Sequence, residues 1–510
     1  MKFLSRLFSR LVLVSLAIAI QLAWLFAVMF VLSDIYLPFA TLLNLISIAA
    51  TIDIINRRGN PEVKLAWIVP ILIFPLFGGI IFFISSGKRP KKKLRRAIDA
   101  AQENTKEHYL TNYHPEPNDV RGKNRYIWGQ CNYIMDNGYP IYRDTKAVYY
   151  NSGRAGWEAM LEDLRRAEHF IFLEYFILAP GTMWGTVLDI LKEKRAAGVD
   201  VRVMYDDVGS IAVLPHRYDR ELEEVGIPCV RFNPYRPVYS VVMNNRDHRK
   251  IMVIDGHVCY TGGSNLADEY IGEITRFGEW KDNFLRLEGE GVRSMTLMFL
   301  EMWHATRPDS RKEDITPFLP TVKHATTPCD GLVLPYANSP VENETLAGDI
   351  YLNLINQATE YVYIFTPYLI IDSEMSRALC LAARRGVDVR IVVPAIPDKK
   401  TIYHLTQSYF PSLIESGVSI YKFTPGFLHS KCLLVDDRVA IVGTINFDYR
   451  SLIQHFENAC LFVDHPVIQD VRRDFEDTFP RCELVKPKAR RFNMLYDLYL
   501  AILRVLAPML

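Results

Sequence analysis

Two regimes of hydrophobic patterning divide the chain. Up to residue 87 the apolar residues come in runs unbroken by charge: Leu11 to Leu32 is 22 residues long, Leu65 to Gly87 is 23, and Ile35 to Ile52 is 18, the last interrupted by Pro38 and Asn44. The two longer runs reach across a hydrocarbon core of about 30 Å and predict two transmembrane helices, with the third run as a shorter additional span. Lys2, Arg6 and Arg10 ahead of the first run have the look of a signal peptide, but its apolar core exceeds the roughly 7 to 15 residues usual there. From about residue 120 the pattern changes. Short β-branched apolar segments alternate with amphipathic helical stretches, which predicts an α/β architecture. A last stripe, Phe492, Leu495, Leu498, Ile502 and Val505, recurs at three- and four-residue spacing beside Arg490, Arg491 and Arg504. It predicts an amphipathic helix that either lies at a membrane interface or packs on the preceding domain.

The α/β part repeats. Ala197-Gly198-Val199-Asp200-Val201-Arg202-Val203 returns as Arg385-Gly386-Val387-Asp388-Val389-Arg390-Ile391, each a helix end capped by Gly and followed by a strand. An apolar strand precedes each copy, Phe170 to Ile177 and Tyr361 to Phe365, and Glu224-Val225-Gly226-Ile227 matches Glu415-Ser416-Gly417-Val418 downstream. Between the copies, Pro308, Pro317, Pro320 and Pro328 mark an aperiodic connector. The organisation expected is therefore a membrane anchor over 1–87, a basic linker over 88–119, a first lobe over 120–307, a connector over 308–330, a second lobe over 331–489 and a C-terminal helix over 490–510.

Charge sharpens this division. Residues 1–100 hold 13 basic and 4 acidic side chains, and residues 101–510 hold 46 and 54, so a chain of net charge +1 splits into parts of +9 and −8. The acidic part has no electrostatic drive toward nucleic acid, whereas the basic part suits an anionic lipid surface. Seven Lys and Arg between Lys88 and Arg96 follow the last long run, and the positive-inside tendency places that side in the cytoplasm. The smaller cluster of Arg57, Arg58 and Lys64 then lies on the opposite face. The eight cysteines are scattered without a C-x-x-C pair and suggest neither a zinc site nor a disulfide framework.

The sharpest chemical signal is a second repeat. His248-x-Lys250-x4-Asp255, with Gly262 and Asn265 behind it, recurs as His429-x-Lys431-x4-Asp436 with Gly443 and Asn446, at a constant offset of 181. Ile251 to Ile254 and Cys432 to Val435 read as buried strands, and Asp255-Gly256 and Asp436-Asp437 as tight turns, so each copy predicts a β-hairpin. Residues two apart on a strand face the same way, which puts the His and Lys of each copy in one site. Asp255 and Asp436 complete the candidate catalytic set, but their odd spacing from the His and their place at the turn suit a carboxylate that holds backbone. Asn265 and Asn446 open the following loops, where an amide can donate to an anion.

Two histidines, two lysines and two asparagines, without a metal-ligand cluster or a Gly-rich nucleotide loop, fit a phosphodiester. The ammonium and amide groups neutralise the equatorial oxygens of a pentavalent phosphorus, one imidazole attacks in line, and the other protonates the leaving oxygen. The product of the first step is a phosphohistidine.

With these residues the sequence resembles the phospholipase D superfamily, whose signature H-x-K-x4-D and G-x-x-N occurs here twice, with the likeness covering roughly residues 120–490. Within it the chain is similar to bacterial cardiolipin synthases, in the hydrophobic hairpin joined by Arg57, Arg58 and Pro61, in Thr366-Pro367-Tyr368, and in the Gly443-Thr444-x-Asn446-x-Asp448-x-Arg450-Ser451 run. It departs from the pattern in Gly263-Ser264, where the second copy has Thr444-Ile445, and in the extra apolar segment at the N-terminus.

The resemblance implies an α/β fold in which N-terminal transmembrane helices precede a duplicated, pseudo-two-fold α/β/α unit. It implies transfer of a phosphatidyl group from one phosphatidylglycerol to another in the cell membrane, with glycerol released and no cofactor, metal or nucleotide. It also implies that Asp282 and Glu457, each just before a strand, orient the histidine of the opposite lobe. Other outcomes for the same site are hydrolysis, transfer to another alcohol, or cleavage of nucleic acid; a scaffold without activity is the remaining alternative. The sequence leaves open which histidine is the nucleophile and the oligomeric state. The first lobe carries an insertion around Tyr235, Val238, Tyr239, Val241 and Met243, which suits either acyl entry or ordinary packing. His257, His304, His404 and His455 have no repeated partner and are read as structural or surface residues.

Overall fold

The computed structural model describes residues 23, 33–57, 59–73, 88–109, 125–235, 245–319, 329–341, 345–487 and 493–509. The run Leu11 to Leu32 (apart from residue 23), residues 74–87, most of the insertion at 236–244, and Pro320, Pro328 and Phe492 lie outside them. The chain divides into two compact units, one of residues 1–92, 235–244 and 492–510, the other of residues 93–234 and 245–491.

In the smaller unit the helices Ser33–Asn56 and Pro61–Ile73 form a hairpin around Ile54 and Ile71. Its turn is polar: the Asp53 carboxylate accepts from Arg57 Nε at 2.9 Å, Asn60 Oδ1 caps the second helix by accepting from the N–H of Glu62 at 2.8 Å, and Lys64 Nζ donates to the Ile55 carbonyl. Leu42, Leu45, Ile48, Ile52, Leu65 and Ile73 stay exposed. The C-terminal helix Met494–Leu506 packs on Pro61–Ile73, buries Leu503, and leaves Leu495, Leu498 and Ile502 exposed. Among the described residues no helix is both long and apolar enough to cross a membrane.

The larger unit is the duplicated α/β body. Among the described residues of the first lobe eight strands form: β1 (Thr145–Tyr150), β2 (Phe170–Tyr175), β3 (Asp200–Asp206), β4 (Cys229–Phe232), β5 (Lys250–Ile254), β6 (Val258–Gly262), β7 (Glu279–Lys281) and β8 (Phe284–Gly289). All but β7 make one sheet in the order β1-β8-β6-β5-β2-β3-β4, parallel from β2 to β4 and antiparallel elsewhere.

The second lobe adds β9 (Leu332–Asn338), β10 (Tyr361–Phe365), β11 (Leu369–Ile370), β12 (Asp388–Pro394), β13 (Ser419–Phe423), β14 (Gly426–Leu428), β15 (Cys432–Val435), β16 (Val439–Gly443), β17 (Phe447–Asp448), β18 (Glu457–Val463) and β19 (Cys482–Leu484). Eight of these form its sheet, β19-β13-β12-β10-β15-β16-β18-β9. The central order β5-β2-β3-β4 of one lobe is matched by β15-β10-β12-β13 of the other, so the sequence repeat is a repeat of topology.

Alternation along the strands makes the layers. Phe170, Phe172, Ile251 and Val253 enter one core with the helix Val292–Thr306, while Ile171, Leu173, Met252 and Ile254 enter another with Trp157, Leu161, Trp184 and Val187 of the helices Gly153–Arg166 and Thr182–Ala196. The period-two pattern thus clothes both sheet faces with helix. Each buried Phe or Leu contributes about 1.5–3 kcal/mol of hydrophobic stabilisation. Val292–Thr306 is apolar nearly all round and buried along almost its whole length; its one carboxylate, Glu301, accepts from Thr105 Oγ1 at 2.6 Å.

Candidate active site

The repeated motif folds as two hairpins, β5-β6 and β15-β16. Their turns need left-handed backbone, φ +50° at Asp255 with +70° at Gly256, and +52° at Asp436 with +54° at Asp437, which Asp and Gly tolerate. The Asp255 carboxylate accepts from the backbone N–H groups of Glu168, His169 and Phe170, each at 2.8 Å. Asp436 likewise accepts from Thr359, Glu360 and Tyr361, as well as from Thr359 Oγ1. Both carboxylates therefore pin the start of a neighbouring strand, β2 or β10, at the end of the hairpin strand remote from the histidine. The geometry assigns Asp255 and Asp436 to backbone, as their spacing suggested, rather than to the reacting group.

The histidines are placed by short pairings that cross between the lobes. Strand β7 of the first lobe runs parallel to β14 of the second, Lys281 beside Leu428, and the N–H of His429 donates to the Lys281 carbonyl at 2.7 Å. The next residue after Lys281 is Asp282, whose Oδ2 sits 2.6 Å from His429 Nδ1. The mirror arrangement uses a single bridge between Asp247 and Phe456, with the N–H of His248 donating to the Phe456 carbonyl at 2.9 Å. Glu457 follows, both its carboxylate oxygens 2.9 Å from His248 Nδ1. Each acid thus belongs to the lobe opposite its histidine, as the resemblance implied.

Both imidazoles are buried, at 6% and 8% exposure, and each lies within electrostatic reach of the other lobe's lysine. Burial, then Lys431, pushes His429 down to about 4 against the pull of Asp282. Burial, then Lys250, His455, Lys431 and His429, holds His248 well below the usual range. Both shifts favour the neutral form of the ring in the free site. Burial alone would raise Asp282, but His429, Lys431 and the Asn283 N–H outweigh it and leave that carboxyl below the usual range. At Glu457 burial wins and the carboxyl is raised.

The lysines are as buried as the histidines. Lys250 Nζ donates to the His248 carbonyl at 2.7 Å and Lys431 Nζ to that of His429, which fixes each ammonium beside its own imidazole with donors to spare. Burial brings Lys250 down to about 7 and Lys431 to about 8, against the acids Glu457 and Asp282 respectively. The asparagines differ from each other. Asn265 is already engaged, its Oδ1 accepting from the Ile177 N–H and its Nδ2 donating to Tyr270 Oη, so one amide hydrogen remains for an anion. Asn446 is also buried, and its Oδ1 has no partner among the described residues.

One buried group was not expected here. His455, which lacks a counterpart histidine in the repeat, lies with its ring 5.6 Å from that of His248 and its Nδ1 3.7 Å from Glu457 Oε1. Its sequence signal is its place two residues before Glu457, which is where Trp280 stands before Asp282. His248, His455 and Glu457 bring three metal-type ligand atoms within 4.8 Å of one another. The field of Arg450, Arg246, Lys250 and Lys399, which helps burial lower the pKa of His455, opposes a cation and favours an anion.

Comparison with known proteins agrees with this geometry. The family described as cardiolipin synthase, PLD-like domain, matches residues 160–275 and 351–479, and the one described as phospholipase D-nuclease N-terminal matches residues 45–87. A chain from Streptococcus mutans is 40% identical over 91% of this sequence and 100% of its own. A cardiolipin synthase from Halalkalibacterium halodurans is 33% identical over 86% of this sequence and 88% of its own. Among solved structures, the phosphatidylserine synthase of Haemophilus influenzae matches with a TM-score of 0.55 at 15% identity, over 75% of this chain and 100% of that one, a likeness of fold. The chain belongs to the phospholipase D-like cardiolipin synthases and is a phosphatidyltransferase.

Proposed function

We propose that the enzyme takes phosphatidylglycerol as both donor and acceptor and works through a phosphohistidine. His248 Nε2 attacks phosphorus in line while His429, which takes up a proton at Nε2 as the anionic diester binds, gives that proton to the departing glycerol oxygen; the now neutral His429 then takes the proton of a second phosphatidylglycerol hydroxyl, which displaces His248 and yields cardiolipin. Lys250 and Lys431, with Asn265 and Asn446, bind the equatorial oxygens. Asp282 and Glu457 hold the Nδ1 side of each ring, which leaves Nε2 for the reaction. The observation that carries this reading is the pair of crossed carboxylate–imidazole contacts, Asp282 with His429 and Glu457 with His248, set among two buried lysines.

The reading includes a multi-pass attachment to the cell membrane through Leu11 to Leu32 and Leu65 to Gly87, with the catalytic lobes on the cytoplasmic side; Ile35 to Ile52, expected from its apolar run as a shorter span, lies within the helix Ser33–Asn56, which is not long and apolar enough to cross. The exposed apolar residues of Ser33–Asn56 and the basic cluster after residue 87 support it. A site held at the bilayer meets a lipid hydroxyl concentrated in two dimensions, and this favours transfer over hydrolysis. Purified full-length protein with phosphatidylglycerol vesicles should form cardiolipin and glycerol in equal amounts without added metal or nucleotide. Phosphatidic acid as the main product would make the enzyme a hydrolase of the same type.

A further inference from the structure

The two halves of the site carry matched rings that the signature motif does not contain. His455-Phe456-Glu457-Asn458 stands in the second lobe where Trp280-Lys281-Asp282-Asn283 stands in the first. Each run supplies an acid to the opposite histidine, and each supplies a ring to it as well. The His455 and His248 centroids are 5.6 Å apart with the planes at 43°, and those of Trp280 and His429 are 5.5 Å apart at 48°. The correspondence follows from the fold, because both rings lie two residues ahead of an orienting acid on a segment bridged to the histidine's own strand.

In both positions a ring nitrogen is left over. Trp280 Nε1 and both nitrogens of His455 are buried without a hydrogen-bond partner among the described residues. A buried polar atom without a partner is costly, and such atoms in an active site mark where a ligand atom belongs. What belongs beside His455 is set by its surroundings. Arg450, Arg246, Lys250 and Lys399 act on its pKa, His455 in turn helps lower that of His248, and Glu457 lies 3.7 Å from its Nδ1. Burial and those cations keep the ring neutral, with one N–H to give, in a field that attracts an anion.

We propose that His455 is a further catalytic residue, whose imidazole donates an N–H to a non-bridging oxygen of the phosphoryl group as that group bonds to His248. The proposal rests on the phosphodiester reading of the site given above. Trp280, a donor only, cannot take a proton, whereas His455 can gain positive charge when an anionic phosphoryl group arrives. The half of the site around His248 therefore contains a donor that strengthens as negative charge develops.

Two substitutions separate this role from packing. His455→Phe keeps a ring against His248 and removes both nitrogens, whereas His455→Gln loses the ring and keeps an N–H donor. With full-length protein in phosphatidylglycerol vesicles, H455F should lower kcat/KM about 10²-fold, the usual effect of losing one donor to a developing oxyanion, and H455Q should stay within about tenfold of wild type. The reverse order, or two variants equal to wild type, would overturn the proposal. If H455F does not fold by circular dichroism, orthovanadate reads the same contact. Its inhibition constant should rise at least tenfold in H455A and stay within a few-fold in H455Q, and an unchanged constant in H455A overturns the assignment.

Bis(4-nitrophenyl) phosphate distinguishes this failure from failure of the lipid reading. A wild type that makes no cardiolipin but cleaves the diester, with H455F below H455Q, keeps His455 and sinks the lipid acceptor. Cardiolipin formed equally well by wild type and H455F sinks His455 alone.

Discussion

The two lobes present the same histidine, lysine and opposing acid, yet the segments that carry them are chemically unlike. In the first lobe Asn245 to Lys250 is a buried charged strip. Arg246 Nη1 lies 3.4 Å from Asp206 Oδ1, Arg249 Nε lies 3.1 Å from Glu174 Oε1, and the Asp247 N–H donates to Asp206. Burial pushes Asp206 up to about 7 within this network. In the second lobe the matching strip is Gly426, Phe427, Leu428, His429, Ser430 and Lys431, and His429 meets the rings of Phe427, Trp280 and Tyr270. Duplication preserved the crossed acid–imidazole geometry and let the two environments diverge. Divergence of this kind suits a reaction in which one histidine bonds phosphorus and the other only moves protons, since the two tasks need different charge states.

The largest effect should come from the histidines themselves. His248→Ala and His429→Ala should each lower cardiolipin formation by about 10⁴-fold or more, and the double variant should be scarcely worse, because nucleophile and proton donor act as a unit. A brief pulse of labelled phosphatidylglycerol should still label His248 in the H429A protein; label on His429 in H248A instead would exchange the roles of the two lobes.

The acids sharpen the comparison next. Burial notwithstanding, the pKa of Asp282 is lowered beside His429, the proposed proton carrier, so Asp282→Asn removes a charge that would stabilise the imidazolium and should cost about 10³-fold in kcat/KM, less than the roughly 10⁴-fold lost when the buried acid of a Ser-His-Asp triad is neutralised. At Glu457 burial already disfavours the charge, so Glu457→Gln should cost only about tenfold. A larger loss at 457 than at 282 would place the proton carrier in the first lobe.

A smaller effect follows from the lysines, which are cationic below their pKa and neutral above it. With Lys250 brought to about 7 and Lys431 to about 8, kcat/KM should fall as pH rises through that range, roughly tenfold per unit once one ammonium is lost. A profile flat to pH 10 would show that these side chains keep their protons in the free enzyme.

The smallest effect on chemistry belongs to the motif aspartates. Asp255→Ala and Asp436→Ala each strip the acceptor from three backbone N–H groups and should destabilise the fold by about 2 kcal/mol in thermal or urea unfolding, with kcat/KM of the folded fraction changed only a few-fold. A loss of turnover at full stability would return them to the reacting group.

Much of this site was legible without coordinates, for identifiable reasons. A constant offset of 181 between five residue pairs survives only if both copies keep one backbone geometry, so the hairpins, the two histidines and the two lysines followed from spacing. The parity of the strand placed Asp255 and Asp436 away from the imidazoles before their partners could be seen. His455 was not legible in that way, because it has no histidine in the other copy. Its relation to Trp280 appears only when the runs ending in Asp282 and Glu457 are laid on each other, and the gaps from Asn265 and Asn446 to those acids differ, 17 against 11 residues. The engagement of Asn265 by Ile177 and Tyr270 was hidden as well, since those contacts join separate loops.

The sequence by itself determined the local geometry: strands by alternation, helix ends by Gly198 and Gly386 at φ +95° and +94°, and turns by Asp and Gly residues that accept left-handed backbone. Those choices depend on neighbours within a few residues, so they are written in order along the chain. Tertiary structure decided how closely each acid meets its imidazole and how strongly each is perturbed. The β7-β14 pairing and the Asp247-Phe456 bridge join residues 147 and 209 apart in the two acid–imidazole pairs. The pKa values of the buried groups follow from desolvation and from charges contributed by the opposite lobe, quantities that exist only once the two lobes have closed on each other.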